Sequence, residues 1–240
     1  MKLGDKTIKS NVNQDEYPFQ GLRLVFALPG DNFSGKFLTC WTELIVACIQ
    51  QRINFAFSNR QSPNVFYVRN MCLSGDVLGG PNQKPFKGEV EYDYIMWIDS
   101  DQVFTVDQFF NLLFMAQSKK LDIVSGVYMM SDGKHFATVI DWDTKYFAKH
   151  GTFQFLQPKD IKEKTDLIEV AYTGFGWMLV RKGVFESLKY PWFVPEAQKI
   201  GKAVDFASED ASWCQRVRKR GYKIYIDPRI RVGHEKRIVL

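Results

Sequence analysis

YIMWIDSD, residues 94–101, joins five apolar or aromatic residues to two carboxylates that are separated by a serine. The apolar run predicts a buried strand, and the abrupt change at Asp99 predicts where it ends. Because residues two apart on an extended chain point to the same side, we expect Asp99 and Asp101 to face one crevice, where open α/β sheets bind ligands. Two close carboxylates repel each other unless a cation lies between them. The pair therefore predicts a site for Mg²⁺ or Mn²⁺, or else a turn that the aspartates cap.

Segments of strand and helix periodicity alternate on both sides of this strand. The predicted elements of the N-terminal half are a strand at 21–28, a helix at 34–51, a strand at 53–57, a helix at 64–78, the strand at 92–98, a helix at 105–117 and a strand at 122–127. This alternation predicts an α/β protein with a mostly parallel central sheet and helices on both faces.

The second half of the chain has a shorter and more mixed pattern. It predicts strands at 136–142, 152–156, 167–172 and 177–180, a short helix at 182–188, a helix at 208–220 and two short closing strands. No Pro-, Gly- or Ser-rich linker divides the chain. We therefore expect one domain at 21–240, preceded by a polar N-terminal extension at 1–20.

The composition indicates a globular protein and excludes several classes. Of the 240 residues, 45% are hydrophobic, which is enough for a buried core. No apolar run approaches the roughly 20 residues that span a bilayer, and residues 1–20 lack the apolar centre of a signal peptide, so the expected location is the cytoplasm. The four cysteines lack CxxC spacing, which argues against a zinc site. The net charge of +5 suits a phosphate-bearing partner but does not indicate nucleic-acid binding, and nothing in the sequence indicates an oligomeric state.

Ser208-Glu209-Asp210 opens the last predicted helix. Acids in a first helical turn are favoured by the helix dipole, which is the simplest interpretation of both side chains. Asp210 lies three and four residues before Trp213 and Cys214, so it is expected on the inward face of the helix. A carboxylate directed inward at a helix N-terminus is suited to accept a proton as a general base.

Two further motifs carry candidate residues. Gly233-His234-Glu235 follows the last predicted strands, and the imidazole there is either a metal ligand or an ordinary surface or core histidine. TGFGW, residues 173–177, places two glycines around an aromatic residue. The glycines permit close backbone approach by a ligand, although a turn or a β-bulge explains them equally well.

The order of these motifs resembles that of GT-A fold nucleotide-sugar glycosyltransferases, in particular family-2-like enzymes. The resemblance rests on WIDSDQVF at 97–104, YTGFGWMLVRKGVFESLKYPWF at 172–193, SEDASWCQRVRKRGYKIYIDP at 208–228 and VGHEK at 232–236. Each motif alone is weak, but four in this order are fairly specific. The resemblance implies a Rossmann-like GT-A domain and a metal-dependent transfer of a sugar from a nucleoside-diphosphate sugar, with a UDP-sugar favoured, to a hydroxyl of a glycan or another acceptor.

The resemblance also implies a role for each motif residue. Asp101 and His234 would bind Mn²⁺ or Mg²⁺, Asp99 would reach the ribose or a metal-bound water, and Asp210 would be the catalytic base. The residues that bind the nucleotide or donor would be Ala27, Leu28, Pro29, Arg69, Asn70, Asp99, Ser100 and Asp101. The residues that contact the sugar and the acceptor would be Gly174, Phe175, Gly176, Trp177 and Glu209.

The segment after Asp210 differs from processive enzymes of this kind, and two other functions remain as alternatives. Processive family-2 synthases carry a QxxRW motif after this helix, whereas here Arg218 follows Gln215 without a Trp, so we expect a non-processive transfer. Attack of the acceptor opposite the leaving group, with Asp210 as the base, would invert the anomeric configuration. A sugar-phosphate nucleotidyltransferase would need a basic phosphate loop after the first strand, where Lys36 is the first cation. A non-catalytic module of the same fold would bind a glycan or a phosphate backbone, but it would not need a carboxylate at Asp210.

Overall fold

Residues 17–236 are described by a computed structural model of the chain. The strands are β1 (Arg23–Pro29), β2 (Asn54–Arg60), β3 (Tyr94–Ile98), β4 (Gln102–Val103), β5 (Ile123–Val127), β6 (Thr138–Val139), β7 (Ile168–Val170), β8 (Tyr172–Thr173), β9 (Trp177–Arg181), β10 (Glu196–Ile200), β11 (Ala203–Ala207), β12 (Ile224–Arg231) and β13 (Gly233–His234). The helices are α1 (Gly35–Gln50), α2 (Val65–Cys72), α3 (Val106–Ser118), α4 (Thr144–His150) and α5 (Glu209–Lys219).

A seven-stranded sheet in the order β2-β1-β3-β9-β5-β12-β7 forms the centre of the fold. Strands β2, β1, β3, β5 and β12 run in one direction, while β9 and the edge strand β7 run in the other. The prediction of a mostly parallel central sheet is confirmed. β9 lies between β3 and β5, and all five residues of β3 are buried, as expected of a strand covered on both faces.

The sheet is covered on both faces, which confirms the predicted layer arrangement. Alternate residues of β1 point to opposite sides: Phe26 packs on the face covered by α1 and α3, and Ala27 packs on the face covered by α2 and α5. α1 begins at the predicted N-cap, since the side chain of Ser34 accepts a hydrogen bond from the backbone N–H of Phe37 at 3.1 Å.

The predicted helix at 64–78 is wrong in length, because α2 ends at Cys72. Ser74 has a positive φ of 59°, and the N–H of Gly75 returns to the carbonyl of Asn70 at 2.9 Å, which closes the helix. The apolar residues after Cys72 continue the helical spacing in the sequence, but Val77 and Leu78 are exposed.

Several predictions for the second half are also corrected. The strand at 136–142 shrinks to β6, the strand at 152–156 to an isolated bridge at Phe155, and the helix at 182–188 to a 3₁₀ turn at Phe185–Ser187. Helix α4 and the hairpin of β10 and β11 were not predicted from the sequence. α4 has only seven residues, and its Asp143 cap accepts hydrogen bonds from two backbone N–H groups.

The predicted boundary between an extension and the domain lies too late in the chain. Phe19 is buried and its ring stacks on Phe110 at 5.3 Å, while Arg52 lies 4.2 Å from the ring centre of Tyr17. The domain therefore includes residues 17–20, and the remainder of the predicted extension lies outside the described residues. No helix between residues 17 and 236 combines the length and the apolar character that a membrane crossing requires.

Candidate active site

Asp101 lies just beyond the carboxyl end of β3, beside the short pair formed by β4 and β13. His234 Nε2 lies 3.0 Å from Asp101 Oδ2, and Lys236 Nζ donates to the same oxygen at 2.7 Å. The backbone N–H of Glu235 donates to the carbonyl of Asp101 at 2.7 Å. The C-terminal segment is thus fixed against the DxD turn, as the order of motifs predicts.

The tautomer of His234 bears on what can occupy this site. His234 Nδ1 lies 2.6 Å from the carbonyl oxygen of Met129. That oxygen can only accept, so Nδ1 carries the proton and, in a neutral ring, Nε2 presents a lone pair to Asp101. Two acceptors at 3.0 Å repel each other unless Nε2 is protonated or a cation lies beside them. Orientation of a histidine by a backbone carbonyl is also the usual arrangement around metal ligands.

The charges at this site lower the pKa of Asp101 and raise the pKa of His234, as expected for an ion pair. Partial burial works to raise the pKa of Asp101, but hydrogen bonds from His234 and Lys236 outweigh it and lower the pKa to about 2. Burial works to lower the pKa of His234, but the hydrogen bonds with Asp101 and with the Met129 carbonyl raise it above its ordinary value. Asp101 therefore stays ionised at neutral pH and available to a cation.

Asp99 and Asp101 do not share one site, which corrects the predicted common crevice. Nη1 and Nη2 of Arg69 donate to the two carboxylate oxygens of Asp99, each at 3.0 Å. Within residues 17–236, no group of three or more His, Cys, Asp or Glu side chains is placed to hold a metal. Arg69 already neutralises the Asp99 carboxylate, and the role of Asp99 as a metal ligand stays a prediction.

Arg69 also joins the DxD turn to helix α5. Its side chain is 4% exposed, and Nε donates to Oε1 of Glu209 at 3.2 Å. Burial alone would lower the pKa of Arg69, but the charges of Asp99 and Glu209 raise it well above its ordinary value. Burial, followed by the charge of Asp210, raises the pKa of Glu209. Arg69 and Glu209 were predicted to contact the donor and the acceptor, but both are occupied with each other.

Replacement of Arg69 tests this buried cluster. We expect Arg69→Met to lower the free energy of unfolding by about 3–5 kcal/mol, because two carboxylates are left partly buried without their cation. Arg23→Met is the matched control, since Arg23 also contacts two carboxylates, Asp93 and Glu91, but its side chain is 42% exposed. The control is expected to lose less than about 1 kcal/mol. Urea denaturation of the two variants measures both free energies of unfolding. Equal losses would contradict the role of Arg69 as the cation of a buried cluster.

Asp210, the second acid of the helix, remains half-buried at the N-terminus of α5. The hydroxyl of Tyr172 donates to Oδ2 at 3.0 Å, and the hydroxyl of Ser208 and the N–H of Ala211 donate to Oδ1. The carboxylate is thus held in one orientation by donors, and no cationic side chain of residues 17–236 forms a salt bridge with it. This placement is compatible with the predicted role of a base, which stays a prediction.

The residues of β1 that are predicted to contact the nucleotide are buried in the sheet. Ala27 and Leu28 are 0% and 5% exposed, and Pro29 is buried. β1 pairs with a strand on each side, and a side-chain amide N–H of Asn59 binds the carbonyl oxygen of Leu28 at 2.7 Å. These residues belong to the sheet, and the first freely accessible positions come after Gly30.

Asn70, which the resemblance places near the nucleotide, has its side-chain amide bound within the protein. Its amide N–H groups donate to the carbonyls of Phe66 and Phe193, each at 2.7 Å. Its carbonyl oxygen accepts from the N–H groups of Trp192 and Phe193. With both ends of the amide engaged and the side chain buried, Asn70 fastens residues 192–193 to helix α2.

The TGFGW segment contributes to the core more than to a ligand site. Phe175 and Trp177 are both 0% exposed, so their side chains pack in the core, and contact of this segment with a sugar stays a prediction. A Cβ on Gly174 would lie 2.1 Å from the hydroxyl of Tyr128, and a Cβ on Gly176 would lie 2.8 Å from its ring. Both glycines are needed for the approach of Tyr128, whose hydroxyl accepts from the N–H of Gly176 at 3.0 Å.

A cavity of about 270 Å³ opens beside Asp101. Its walls are formed by Asn32, Ser34, Ser100, Asp101, Glu235 and Lys236. Ser100 therefore lies where it was predicted, at the end of β3 and in close contact with Gly30, at which a Cβ would lie 2.7 Å from Oγ. The cavity combines hydroxyl and amide groups with one ammonium and two carboxylates, a donor set that suits a phosphate bound together with a cation.

Three side chains of the site were not predicted from the sequence. Tyr128 lies against His234 with ring centres 5.1 Å apart, Tyr172 binds Asp210, and Lys236 binds Asp101. Burial raises the pKa values of both tyrosines above the ordinary value, so they act as neutral hydroxyls. Lys236 carried a signal, because it lies two residues after His234. No feature of the sequence distinguishes Tyr128 from other aromatic residues that follow a strand.

No protein-family model matches the sequence, and no curated protein matches it. Solved structures similar in backbone include a mutant of Drosophila β-1,4-galactosyltransferase 7 in complex with manganese, UDP-Gal and xylobiose, at 14% identity and a TM-score of 0.44. Glucosyl-3-phosphoglycerate synthase from Mycobacterium tuberculosis in complex with Mn²⁺, UDP and phosphoglyceric acid matches at 12% identity and a TM-score of 0.48. S. aureus TarS in complex with UDP-GlcNAc matches at 12% identity and a TM-score of 0.47.

These matches cover 86%, 91% and 91% of this chain, in the same order. The chain in turn spans 65%, 72% and 60% of the matched chains, which is less than two thirds of two of them. The similarity is one of backbone fold.

Proposed function

We propose that this chain is a glycosyltransferase that moves a sugar from a nucleoside-diphosphate sugar to a hydroxyl group. One observation carries the proposal: Arg69 binds Asp99 of the DxD turn and Glu209 of helix α5 at once. In each acidic motif, one acid is therefore bound to Arg69, and the second acid, Asp101 or Asp210, is half-exposed. The two remaining carboxylates have different partners, since Asp101 contacts His234 and Lys236 whereas Asp210 accepts from neutral donors, as suits a site with separate leaving-group and base functions.

The donor diphosphate is proposed to bind in the cavity beside Asp101. Asp101 and His234 would hold Mn²⁺ or Mg²⁺, whose remaining positions are commonly filled by substrate phosphates and water. When bound, the ion supplies positive charge against the leaving diphosphate. Lys236 would add a second positive charge there, since its ammonium already lies 2.7 Å from Asp101. The favoured donor is a UDP-sugar, as the resemblance of the motifs implies.

The acceptor is proposed to react from the side of Asp210. Its hydroxyl oxygen forms a bond to the anomeric carbon, the bond from that carbon to the diphosphate oxygen breaks, and Asp210 takes the hydroxyl proton. Tyr172 and Ser208 hold the carboxylate in position through their hydroxyl groups. Attack opposite to the leaving group inverts the anomeric configuration, and one transfer occurs for each binding event.

A panel of nucleotides tests the donor class. The panel consists of UDP, GDP, dTDP and CMP. We expect one of the three diphosphates to raise the thermal midpoint of unfolding in the presence of Mn²⁺ or Mg²⁺ and not with a chelator. At 100 times its Kd, a ligand of the folded state adds about 2.7 kcal/mol of stability. Isothermal calorimetry measures the same binding directly.

Two other results of these experiments would contradict the proposal. A chain that responds to none of the nucleotides, with or without metal, would not bind such donors. Release of pyrophosphate from a nucleoside triphosphate and a sugar phosphate would instead establish a nucleotidyltransferase.

A further inference from the structure

A second cavity, of about 210 Å³, lies between helix α4, the hairpin of β10 and β11, and the start of helix α5. Aromatic side chains form much of its wall. The rings of Trp142 and Phe153 lie 3.8 Å apart with an angle of 31°, and the rings of Phe155 and Tyr172 meet edge to face at 6.3 Å. Trp142, Phe153, Phe155 and Tyr172 are all half-buried, so each retains ring surface that a ligand can cover.

The hairpin places a further ring at the mouth of this cavity. Phe206 on β11 is 72% exposed although it belongs to the cavity wall. An exposed phenylalanine on a two-stranded hairpin lacks the burial that normally accompanies so large an apolar side chain. A ligand in the cavity would cover part of that surface.

The cavity is connected to Asp210 through its own wall. Tyr172 and Ser208 both line the cavity, and their hydroxyl groups donate to the two carboxylate oxygens of Asp210. A hydroxyl of a molecule bound against Tyr172 would therefore lie next to the carboxylate that is proposed to act as the base. The aromatic cavity is therefore linked to Asp210, whereas the other cavity is lined by Asp101.

The polar groups of the aromatic cavity favour a neutral ligand. Gln198 and Asp205 face each other across the hairpin and supply amide and carboxylate groups for hydrogen bonds with hydroxyls. Within the described part of the chain, no lysine or arginine lines the cavity. A phosphorylated or carboxylated acceptor would meet a carboxylate and no counter-charge, which is unfavourable.

We infer that this aromatic cavity is the acceptor site and that it binds a neutral sugar ring. The C–H groups on one face of a pyranose pack on aromatic rings, while its hydroxyls reach Gln198, Asp205 and Asp210. This inference rests on the proposed function, in which the acceptor oxygen attacks the anomeric carbon of the donor and Asp210 takes the proton. It adds the substrate class of the acceptor and the residues that select it.

Trp142→Ala is the first test, with Trp41→Ala as the matched control. Both tryptophans are half-buried, but Trp41 packs against Phe26 on the face of the sheet covered by α1. The probes are methyl hexopyranosides of glucose, galactose, mannose and N-acetylglucosamine, whose binding is followed by saturation-transfer NMR. We expect Trp142→Ala to raise the acceptor KM about tenfold and to weaken the NMR signal similarly, and Trp41→Ala to leave both quantities and the hydrolysis of the donor by water unchanged.

Phe206→Ala is a second variant that does not depend on the packing of Trp142. Its side chain is exposed, so folding is expected to survive, and Phe57→Ala is its control because Phe57 is 65% exposed on β2. We expect Phe206→Ala to raise the acceptor KM several-fold and Phe57→Ala to leave it unchanged.

The outcomes separate the inference from the proposed function. Wild-type acceptor KM values in both Trp142→Ala and Phe206→Ala, together with normal donor hydrolysis, would overturn the acceptor site alone. Preference for a long-chain alcohol or a phosphorylated acceptor over all four glycosides would overturn the sugar class. Binding of glycosides that is lost in Trp142→Ala, without hydrolysis of any donor, would support the sugar site but overturn the proposed function.

Discussion

Asp101→Asn is expected to weaken binding of the nucleoside diphosphate in the presence of Mn²⁺ by about 100-fold or more and to abolish sugar transfer. The substitution keeps the shape of the side chain but removes the charge that Asp101 presents to His234 and Lys236. Loss of one partner of a close charged pair at a binding site typically costs 2 kcal/mol or more. Calorimetry with UDP, at a fixed Mn²⁺ concentration and again with chelator, measures the change.

The control for this substitution is Asp122→Asn. Asp122 is also a partly exposed aspartate paired with a basic residue, since Arg181 lies 3.2 Å away, but it lies at the amino end of β5. We expect its donor binding to equal that of the wild type. Wild-type affinity in Asp101→Asn would remove Asp101 from the donor site.

A separate substitution distinguishes the metal from Lys236 as the source of positive charge. If Lys236 alone neutralises the diphosphate, chelator leaves nucleotide binding unchanged while Lys236→Met removes it. If a divalent cation is required, chelator removes binding and Lys236→Met only weakens it by about tenfold, as for one charged contact. The geometry of His234, whose Nε2 faces the carboxylate while Nδ1 is held by Met129, favours the second result.

The sheet follows from local signals in the sequence, whereas the association of His234 with Asp101 is what the resemblance of the motifs implies. The apolar run of β3 and the alternating elements before it determine which strands are central, and motifs at the carboxyl ends of strands meet at one edge of a sheet. The separation of Asp99 from Asp101 was not predictable in the same way. The alternation rule applies to an extended strand, whereas the chain turns here, with the N–H of Gln102 bonded to the carbonyl of Asp99.

The roles of the TGFGW residues depend on contacts from distant parts of the chain. An aromatic residue beside glycines has the same local sequence whether it contacts a sugar or packs in the core. Tyr128, which is distant in the sequence, packs against Gly174 and Gly176 so closely that a Cβ on either glycine would meet its side chain. The arginine that links Asp99 to Glu209 is a comparable case, since Arg69 lies 30 and 140 residues away from its partners.

Asp210→Asn is expected to reduce the turnover of sugar transfer by about 10²–10⁴-fold while the affinity for the nucleotide stays within about twofold of the wild type. The single amide oxygen of asparagine can still accept from the hydroxyl of Ser208 and the N–H of Ala211, and its NH₂ group can donate to the hydroxyl oxygen of Tyr172, so the helix N-terminus should keep its structure. What is lost is the group that takes the acceptor proton. Steady-state kinetics with varied acceptor and calorimetry with the nucleotide measure the two quantities separately.

Tyr172→Phe and Glu209→Gln are the controls that separate a base from a structural acid. Tyr172→Phe removes one hydrogen bond to Asp210 and is expected to change turnover by less than about tenfold, because the carboxylate remains. Glu209→Gln removes a charge from Arg69 and is expected to lower the free energy of unfolding more than turnover. Asp210→Asn should show the opposite balance, with a small change in stability and a large change in turnover. If it keeps wild-type turnover, or loses stability in proportion to activity, Asp210 is not the base and the acceptor proton must leave by another group.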